Sequence, residues 1–574
     1  MFDKGTNPLA AGDILNALEA ALYRGRIGRR RFMQLALATG ASLSAVRAMA
    51  QEGGDAAITQ LYNAQNLADS YDYIVVGSGS GGATVAGRLG ETGASVLVLE
   101  AGDTDQIEAV LNPAMWPTNL RSERDWGHTA DATDKVNGRQ LILPMGKVVG
   151  GGSSINVQIW ARGHKNDFDM WAAEAGDDAW TYDNVLEIYK RIEDWQGTPD
   201  ADRRGSGGRV WVEQVQDPNP VAPAMLTACE GVGIPAYADM NGVMMEREGG
   251  AALANVRIKD GRRVNVPQSY LYPVLKQGNV TLLTGTEATT LIMEGTTCKG
   301  VNFVHDGQMK SARATRVILA AGAINTPKML MLSGIGPKEE LDRIGVETRV
   351  DLPGVGQNFQ DHVLVAGCIW EYKEPLPPRN SLAEATFFWK SDSALDGPDM
   401  QPFQIEVPYA TEVTGPAYTP PAGAWTLSPG LVRPKSRGRV YLESSDPMAQ
   451  AKVDAQFLSH PDDLKTVVHA IELCREIGNS DAMKDFVKRE VMPGTLSPAE
   501  MQDFAKNAAG TYFHQSCTCK MGRDEMSVVD GNLSVYGVEG LTIADASIMP
   551  RATTGNTMAP TVMIGERAAD ILLA

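Results

Sequence analysis

One segment near the start of the chain restricts the fold more than any other. Tyr71-Asp-Tyr-Ile-Val-Val76 is a short apolar, β-branched run of the kind that forms a buried strand. It passes directly into Gly77-Ser78-Gly79-Ser80-Gly81-Gly82, a G-x-G-x-x-G turn, and a small-residue helix follows from Gly79 to about Thr92. A second strand, Ser95-Val-Leu-Val-Leu-Glu100, closes the unit. A strand–turn–helix–strand of this form builds a parallel pair with a right-handed crossover, the start of a Rossmann-like α/β domain. Each part has a task in binding a dinucleotide. Gly77 allows the tight turn, Ser78 and Gly79 let a diphosphate approach the backbone, and Gly82 lets helix and strand pack closely. The helix N-terminus faces the phosphate charge, and Glu100 at the strand end can accept from ribose hydroxyls. The unit does not by itself separate FAD from NAD.

A chain of 574 residues exceeds one hydrophobic core and is expected to form two domains. The net charge of −18 argues against nucleic acid, whose phosphates call for clustered Lys and Arg. Cys229, Cys298, Cys368, Cys474, Cys517 and Cys519 show no zinc-type pairing, and Cys517-x-Cys519 is one residue short of a thioredoxin-like motif. They read as structural, with a disulfide open to an exported protein.

Ahead of the strand, Arg29-Arg30-Arg31-Phe32-Met33 leads into the apolar run Leu35–Val46 and then Ala48-Met49-Ala50. This resembles a twin-arginine export signal with its cleavage site. The run is too short to span a hydrocarbon core of about 30 Å. The expectation is a bacterial periplasmic protein with no transmembrane span in the mature chain. The alternative is a basic amphipathic helix that stays attached. Residues 1–28 have no clear role, and Gln51–Ser70 reads as a polar linker.

Further along, Arg209–Glu213, Val280–Thr284 and Arg316–Ala320 read as buried strands. Residues 366–430 are rich in proline and read as a separate α+β region. Leu464–Ile477 and Ala559–Leu573 have helical spacing, the second with Pro560 in its first turn.

Two long segments carry a family resemblance. Gly146-Lys-Val-Val-Gly-Gly-Gly-Ser-Ser-Ile-Asn-Val-Gln-Ile-Trp-Ala-Arg-Gly163 resembles the first signature of the glucose–methanol–choline (GMC) oxidoreductases. Gly322-Ala-Ile-Asn-Thr-Pro-Lys-Met-Leu-Met-Leu-Ser-Gly-Ile-Gly336 resembles the second. Val355–His362 and the last sixty residues extend the likeness, while 165–260 and 366–430 match poorly. The resemblance implies FAD, held by an FAD-binding Rossmann-like domain, and a second α+β substrate-binding domain. The expected organisation is a signal at 1–50, a linker at 51–70, the FAD domain with part of the substrate region at 71–365, mainly substrate-binding structure at 366–510, and a return to the FAD domain at 511–574. Small residues at Gly150–Ser154 would admit a flat ring or a phosphate, with Val149, Gly151 and Asn156 at the cofactor. Some relatives tether FAD through a histidine where this chain has Ile155, so the resemblance implies non-covalent FAD. Ala288 matches an adenine-edge contact. Asn325-Thr-Pro-Lys reads as structural, with Pro327 early in a helix that Asn325 or Thr326 could cap.

His514-Gln-Ser-Cys-Thr-Cys-Lys-Met-Gly522 resembles the family's catalytic segment, with Cys517 in place of the usual glycine. His514 stands at the catalytic base. Alcohol oxidation needs a hydroxyl proton removed as hydride leaves the same carbon, and imidazole titrates in the right range. Asn556 stands where the family places a second active-site His or Asn. An amide can stabilise alkoxide character but cannot act as a base; the plainer alternative is a helix cap. Backbone at Asn556 and Thr557 would face the flavin pyrimidine ring, and Asp545 and Ala546 the ribityl and diphosphate portion. Tyr512 and Phe513 could form an apolar wall.

These residues imply an FAD-dependent alcohol oxidoreductase. Export favours a dehydrogenase that passes electrons to a quinone or cytochrome. An oxygen-using oxidase and a non-redox hydroxynitrile lyase remain open on the same scaffold, and the two later signatures argue against an NAD enzyme. The alcohol is not specified. No cluster of Asp or Glu beside aromatics suggests a cage for a quaternary ammonium, which leans away from choline.

Overall fold

The computed structural model describes Gln60 and residues 63–574. The expected export signal and most of the expected linker lie outside the described residues.

Two sheets organise the chain. The first has seven strands. Val280–Leu283, Val96–Leu99, Ser70–Val76 and Gln308–Leu319 lie side by side in that order, all parallel. Gln308–Leu319 is long enough to serve two neighbours on its other edge. Its first half pairs antiparallel with Thr297–His305, which continues to Thr286–Glu294, and its last residues pair parallel with Leu541–Ile543. That last pairing returns the C-terminal segment to the nucleotide unit. The second sheet has six strands, all antiparallel, in the order Val487–Met492, Ile369–Tyr372, Ala424–Ser428, Phe403–Ile405, Ala385–Phe388 and Gly250–Leu253. The proline-rich stretch expected to be α+β contributes mainly strands, with one short helix at Thr414–Tyr418. The expected buried strand near residue 210 is Val210–Gln214. It buries only Val210 and Val212 and belongs to a separate small sheet with Glu193–Trp195 and Asn255–Val256.

Close packing explains the glycines of the first turn. Gly77 has φ of 94°, where an L side chain is strained. A Cβ on Gly82 would stand 2.0 Å from the Gly77 carbonyl oxygen, and one on Gly81 would stand 1.8 Å from that of Ala544. Gly79 differs, because a Cβ there would meet nothing within 4 Å. The helix Ser80–Gly90 therefore lies directly on the returning C-terminal strand. The last helix, Met558–Leu573, crosses it with Gly565 over Gly81. Arg88 pairs with the buried Glu566 and reaches Asp570 at 2.9 Å.

The helix at Gly322–Leu332 begins earlier than its sequence suggests, so Pro327 lies inside it and neither Asn325 nor Thr326 caps it. Proline removes one N–H from the ladder. The carbonyl this would orphan, that of Ala323, accepts instead from the Thr518 hydroxyl at 2.6 Å. The Asp545 carboxylate accepts from the Gly322 N–H at 2.9 Å and the Thr326 hydroxyl at 2.6 Å. All six cysteines are free and buried. Among the described residues, no helix is long and apolar enough to cross a membrane.

The unequal crowding of two neighbouring glycines gives a test. Gly81→Ala should destabilise the protein by about 3 kcal/mol, the upper range for overpacking. Gly79→Ala should leave the melting temperature of cofactor-free protein nearly unchanged. Thermal denaturation of both variants checks this, and equal losses would contradict it.

Candidate active site

A long cavity runs from the carboxyl ends of the first sheet's parallel strands to the edge of the second sheet. Gly77, Gly79 and Gly81 line its start, and Glu100, Ala288, Asp545 and Ala546 its flanks. Gly151 and Asn156 follow, and His514, Asn556 and Thr557 lie on the same cavity. Ser78, Gly82 and Val149 do not line it. Ser78 is buried behind the turn, where its hydroxyl donates to Glu100 Oε2 at 2.6 Å and receives the Gly150 N–H at 3.2 Å. Gly82 sits under the helix, and Val149 belongs to the core.

The cavity has room where a diphosphate and a flat ring would lie. Cβ atoms built on Gly79 and Gly152 meet nothing within 4 Å, so both present bare backbone to the space. Glu100 is fixed at the strand end, with one oxygen on the Ser78 N–H at 3.0 Å and the other on the Gly102 N–H at 2.8 Å. Burial raises its carboxyl pKa against those hydrogen bonds. Asn156 is held by its oxygens. Arg263 donates to its Oδ1 and its backbone carbonyl, each at 2.7 Å, and to Val110 O at 2.7 Å. The amide Nδ2 is left facing Met558 Sδ at 3.0 Å, a weak acceptor. These features fit a dinucleotide with a planar ring system.

At the far end, local pairing brings His362, His514 and Asn556 together. Val363–Val365 runs antiparallel to Ala509–Thr511, and the Tyr512 N–H continues the ladder to His362 O at 2.9 Å. The chain then turns sharply at Phe513, φ 66°. Asp361 holds that turn by accepting from the Thr511 hydroxyl at 2.5 Å and the His514 N–H at 3.0 Å. The turn stacks the His514 ring on Tyr512 with centroids 4.8 Å apart. Cys517, where a glycine was expected, adopts φ of 75° and still donates its N–H to Ala546 O at 3.0 Å. The glycine-type conformation survives the substitution.

Hydrogen bonds fix which nitrogen of His514 carries its hydrogen. Gln401 Nε2 donates to Asn556 Oδ1 at 3.0 Å, which turns Asn556 Nδ2 towards His514 Nε2 at 3.1 Å. Nε2 is then the acceptor. The hydrogen sits on Nδ1 and is donated to His362 Nδ1 at 2.9 Å. His362 in turn keeps its hydrogen on Nε2, which is buried without a partner. Asn556 thus does not cap the last helix, whose N-cap is Thr557 with no side-chain bond. Burial, reinforced by the neighbouring imidazole, holds the His514 pKa well below its ordinary value. Burial takes His362 down to about 3 and pushes Asp361 up to about 7. The result is a neutral imidazole on the cavity wall whose one lone pair, on Nε2, accepts from the Asn556 amide; the neutral state is the one a general base requires.

Tyr512 and Phe513 do line the cavity. Sequence reasoning missed Trp116, Leu364, Phe403 and Ile405 on the wall, and Gln401 and His362 behind His514 and Asn556. His362 closes the Val355–His362 segment, so its motif was visible although its partner was not.

Family models described as GMC oxidoreductase match residues 71–364 and 434–565. An oxygen-dependent choline dehydrogenase of Brucella anthropi is 36% identical over 533 residues, covering 88% of this chain and 95% of the relative. Another, from Sinorhizobium medicae, is 36% identical over 534 residues, with the same coverage of each chain. Among solved structures, pyridoxine 4-oxidase from Mesorbium loti superimposes with a TM-score of 0.83 at 32% identity, covering 87% of this chain and 98% of that one. Formate oxidase gives a TM-score of 0.78 at 26% identity, covering 88% and 98%.

Two buried neutral imidazoles have a measurable consequence. A depressed histidine pKa means that the folded state takes up its proton only at lower pH than the unfolded chain. Stability should therefore fall as pH drops below about 6.5, where the unfolded histidines charge first. Histidine-selective ¹⁵N NMR should show both rings neutral from pH 8 down to pH 6. A ring at either position that protonates near 6.5 would contradict the assignment.

Proposed function

The chain belongs to the GMC oxidoreductase family and is an FAD-dependent oxidoreductase; on that footing we propose that it oxidises an alcohol to an aldehyde or ketone with His514 as the base. The observation that carries this reading is the His514–Asn556 pair, 3.1 Å apart on the cavity wall with Nε2 as the acceptor.

FAD, when bound, supplies the acceptor for the hydride. The protein's own residues supply the rest. A substrate hydroxyl would replace the direct Asn556–His514 hydrogen bond, donating to Nε2 and accepting from Asn556 Nδ2. As the carbon loses its hydride, His514 Nε2 takes the hydroxyl proton, and the Asn556 amide stabilises the negative charge that develops on oxygen. The Nδ1 hydrogen stays on the His362 bond, so the ring does not need to reorient between turnovers. His362 and Gln401 are positioning residues in this scheme. Gly79, Gly81 and Gly151 would take the diphosphate and ring edge, Glu100 the ribose, Ala288 the adenine edge, and Asp545, Ala546 and Thr557 the remainder of the cofactor. Ile155 offers no nucleophile for a tether, which supports non-covalent FAD.

The Arg29–Arg31 segment and its apolar run support export to the periplasm. Export supports a dehydrogenase that passes electrons to a quinone or cytochrome. The names of the similar solved structures favour oxygen as a second reading. Anaerobic reduction by substrate followed by measurement of peroxide on mixing with air separates the two.

Acid precipitation of the yellow protein should release all of its flavin. His514→Ala should retain FAD but slow its reduction by roughly 10²–10⁴, the usual loss for a general base. Stopped-flow absorbance under anaerobic conditions measures this, and a rate like that of the wild type would overturn the role of His514.

A further inference from the structure

The far end of the cavity has a charge pattern unlike the one its choline-oxidising relatives' names suggest. The second sheet and its neighbours contribute Val157, Ile159, Leu364, Ala383, Phe403 and Ile405 to the lining, none of them charged. The charged lining residues are Glu100, Glu287, Lys328 and Asp545. All of these stand on the first sheet or the helix beside it. Glu100 is tied to Ser78 and Asp545 to Thr326, while Glu287 and Lys328 lie on Thr286–Glu294 and Gly322–Leu332. The carboxylates nearest in sequence to the apolar wall, Glu384 and Glu406, do not line it. They accept from the Asn219 and Arg379 backbone N–H groups and from the Asn380 amide. Burial and the neighbouring Glu384 raise the Glu406 carboxyl well above the usual carboxylate range.

Behind the same wall the fixed charge is positive. Arg263 is 1% exposed and spends its guanidinium on carbonyl oxygens of Val110, Ser153 and Asn156. Arg257, also 1% exposed, donates its backbone N–H to Gln158 O at 3.0 Å and its Nη2 to Ser269 Oγ at 2.7 Å. Its Nε and Nη1 have no partner. Neither arginine forms a salt bridge among the described residues, whereas nearby Arg162 and Arg204 are matched by Glu193 and Asp239. The unneutralised Arg263 guanidinium therefore sits against Asn156, in the strip that the substrate end of the cavity shares with the cofactor end, while Arg257 meets that strip through its backbone and points its guanidinium to Ser269 and the Trp160 ring. The face of Tyr512, a natural platform for a cation, is covered by His514.

We propose that the site takes uncharged alcohols with an apolar body, aliphatic or aromatic, and rejects alcohols bearing a quaternary ammonium. The inference rests on the alcohol-oxidation reading above. Desolvating a fixed cation costs free energy unless an opposite charge or an aromatic cage replaces its water. This wall offers no anion, sets Trp116, Phe403 and Phe513 among aliphatic side chains, and has the unpaired Arg263 guanidinium behind it at Asn156. A neutral body of the same shape loses nothing by the same transfer and gains the burial of its apolar surface.

Choline and 3,3-dimethylbutan-1-ol differ at one atom, nitrogen for carbon, and so isolate charge from shape. With the FAD-loaded enzyme under anaerobic conditions, the neutral alcohol should reduce the flavin with kcat/KM at least about tenfold above that of choline. A second readout avoids turnover. Binding, followed by perturbation of the flavin absorbance, should be detectable for 2-phenylpropan-2-ol, which has no carbinol hydrogen to lose, and weaker for tetramethylammonium. Reduction by benzyl alcohol with neither member of the pair active also supports the inference. Choline equal to or better than its neutral isostere overturns it and leaves alcohol oxidation standing. If no alcohol of any charge reduces the flavin, the alcohol-oxidation reading itself fails.

Discussion

The structure turns on a chain of hydrogen bonds that runs Gln401, Asn556, His514, His362. Its members come from four separate parts of the sequence, and each bond has one direction only because the one before it does. A histidine alone in a loop would sample both tautomers and both charge states. Here an amide dictates the acceptor nitrogen, a second imidazole receives the hydrogen, and burial keeps the pair neutral. The second sheet supplies Gln401, the small sheet beneath it aligns His362 with Tyr512, and the return of the C-terminal segment to the first sheet delivers Asn556. The two-sheet architecture is thus what allows an imidazole lone pair to face the nucleotide cavity.

The parts of the fold that sequence alone revealed are those governed by neighbours in the chain. The strand, turn and helix of residues 70–90 obey short-range sterics, and the glycines that mark them are required by contacts of about 2 Å. The site residues that emerged did so through long motifs, His514 and Asn556 among them. What stayed hidden depends on segments meeting in space. Nothing in the residues around Gln401 announces that its amide orients Asn556. The proline-rich stretch reads as a separate α+β region, whereas its elements are mainly short strands that join one sheet with Gly250–Leu253, a partner from far earlier in the chain. The helix at Gly322 starts before its sequence suggests because Thr518, far along the chain, satisfies the carbonyl that Pro327 orphans.

Asn556 shows how a bland reading and a functional one separate once coordinates exist. Asparagine before a helix is a common cap, and its sequence position fits that role. The side chain instead spends both ends on Gln401 and His514, and the helix begins uncapped at Thr557. Leaving that helix end without a side-chain partner exposes its N–H groups and positive dipole to the cavity, where a cofactor can use them.

The same logic reaches the substrate. The likeness to choline dehydrogenases covers 88% of the chain, and in the proposed reaction the His514–Asn556 pair acts at one carbon and one oxygen. Selectivity lies in what surrounds the rest of the molecule, and there the residues follow a different rule. A protein that accepted a quaternary ammonium at this wall would have to bury a cation near the Arg263 guanidinium with no carboxylate in a salt bridge to offset it. The two arginines have their own reason to be there, since Arg263 holds Asn156 at the cofactor and Arg257 supports the strip beside it. A charge placed to organise the cofactor end therefore also sets the sign of what the substrate end can accept. In this chain the lining at that end is made of Trp116, Val157, Ile159, Leu364, Phe403 and Ile405, with no carboxylate among them.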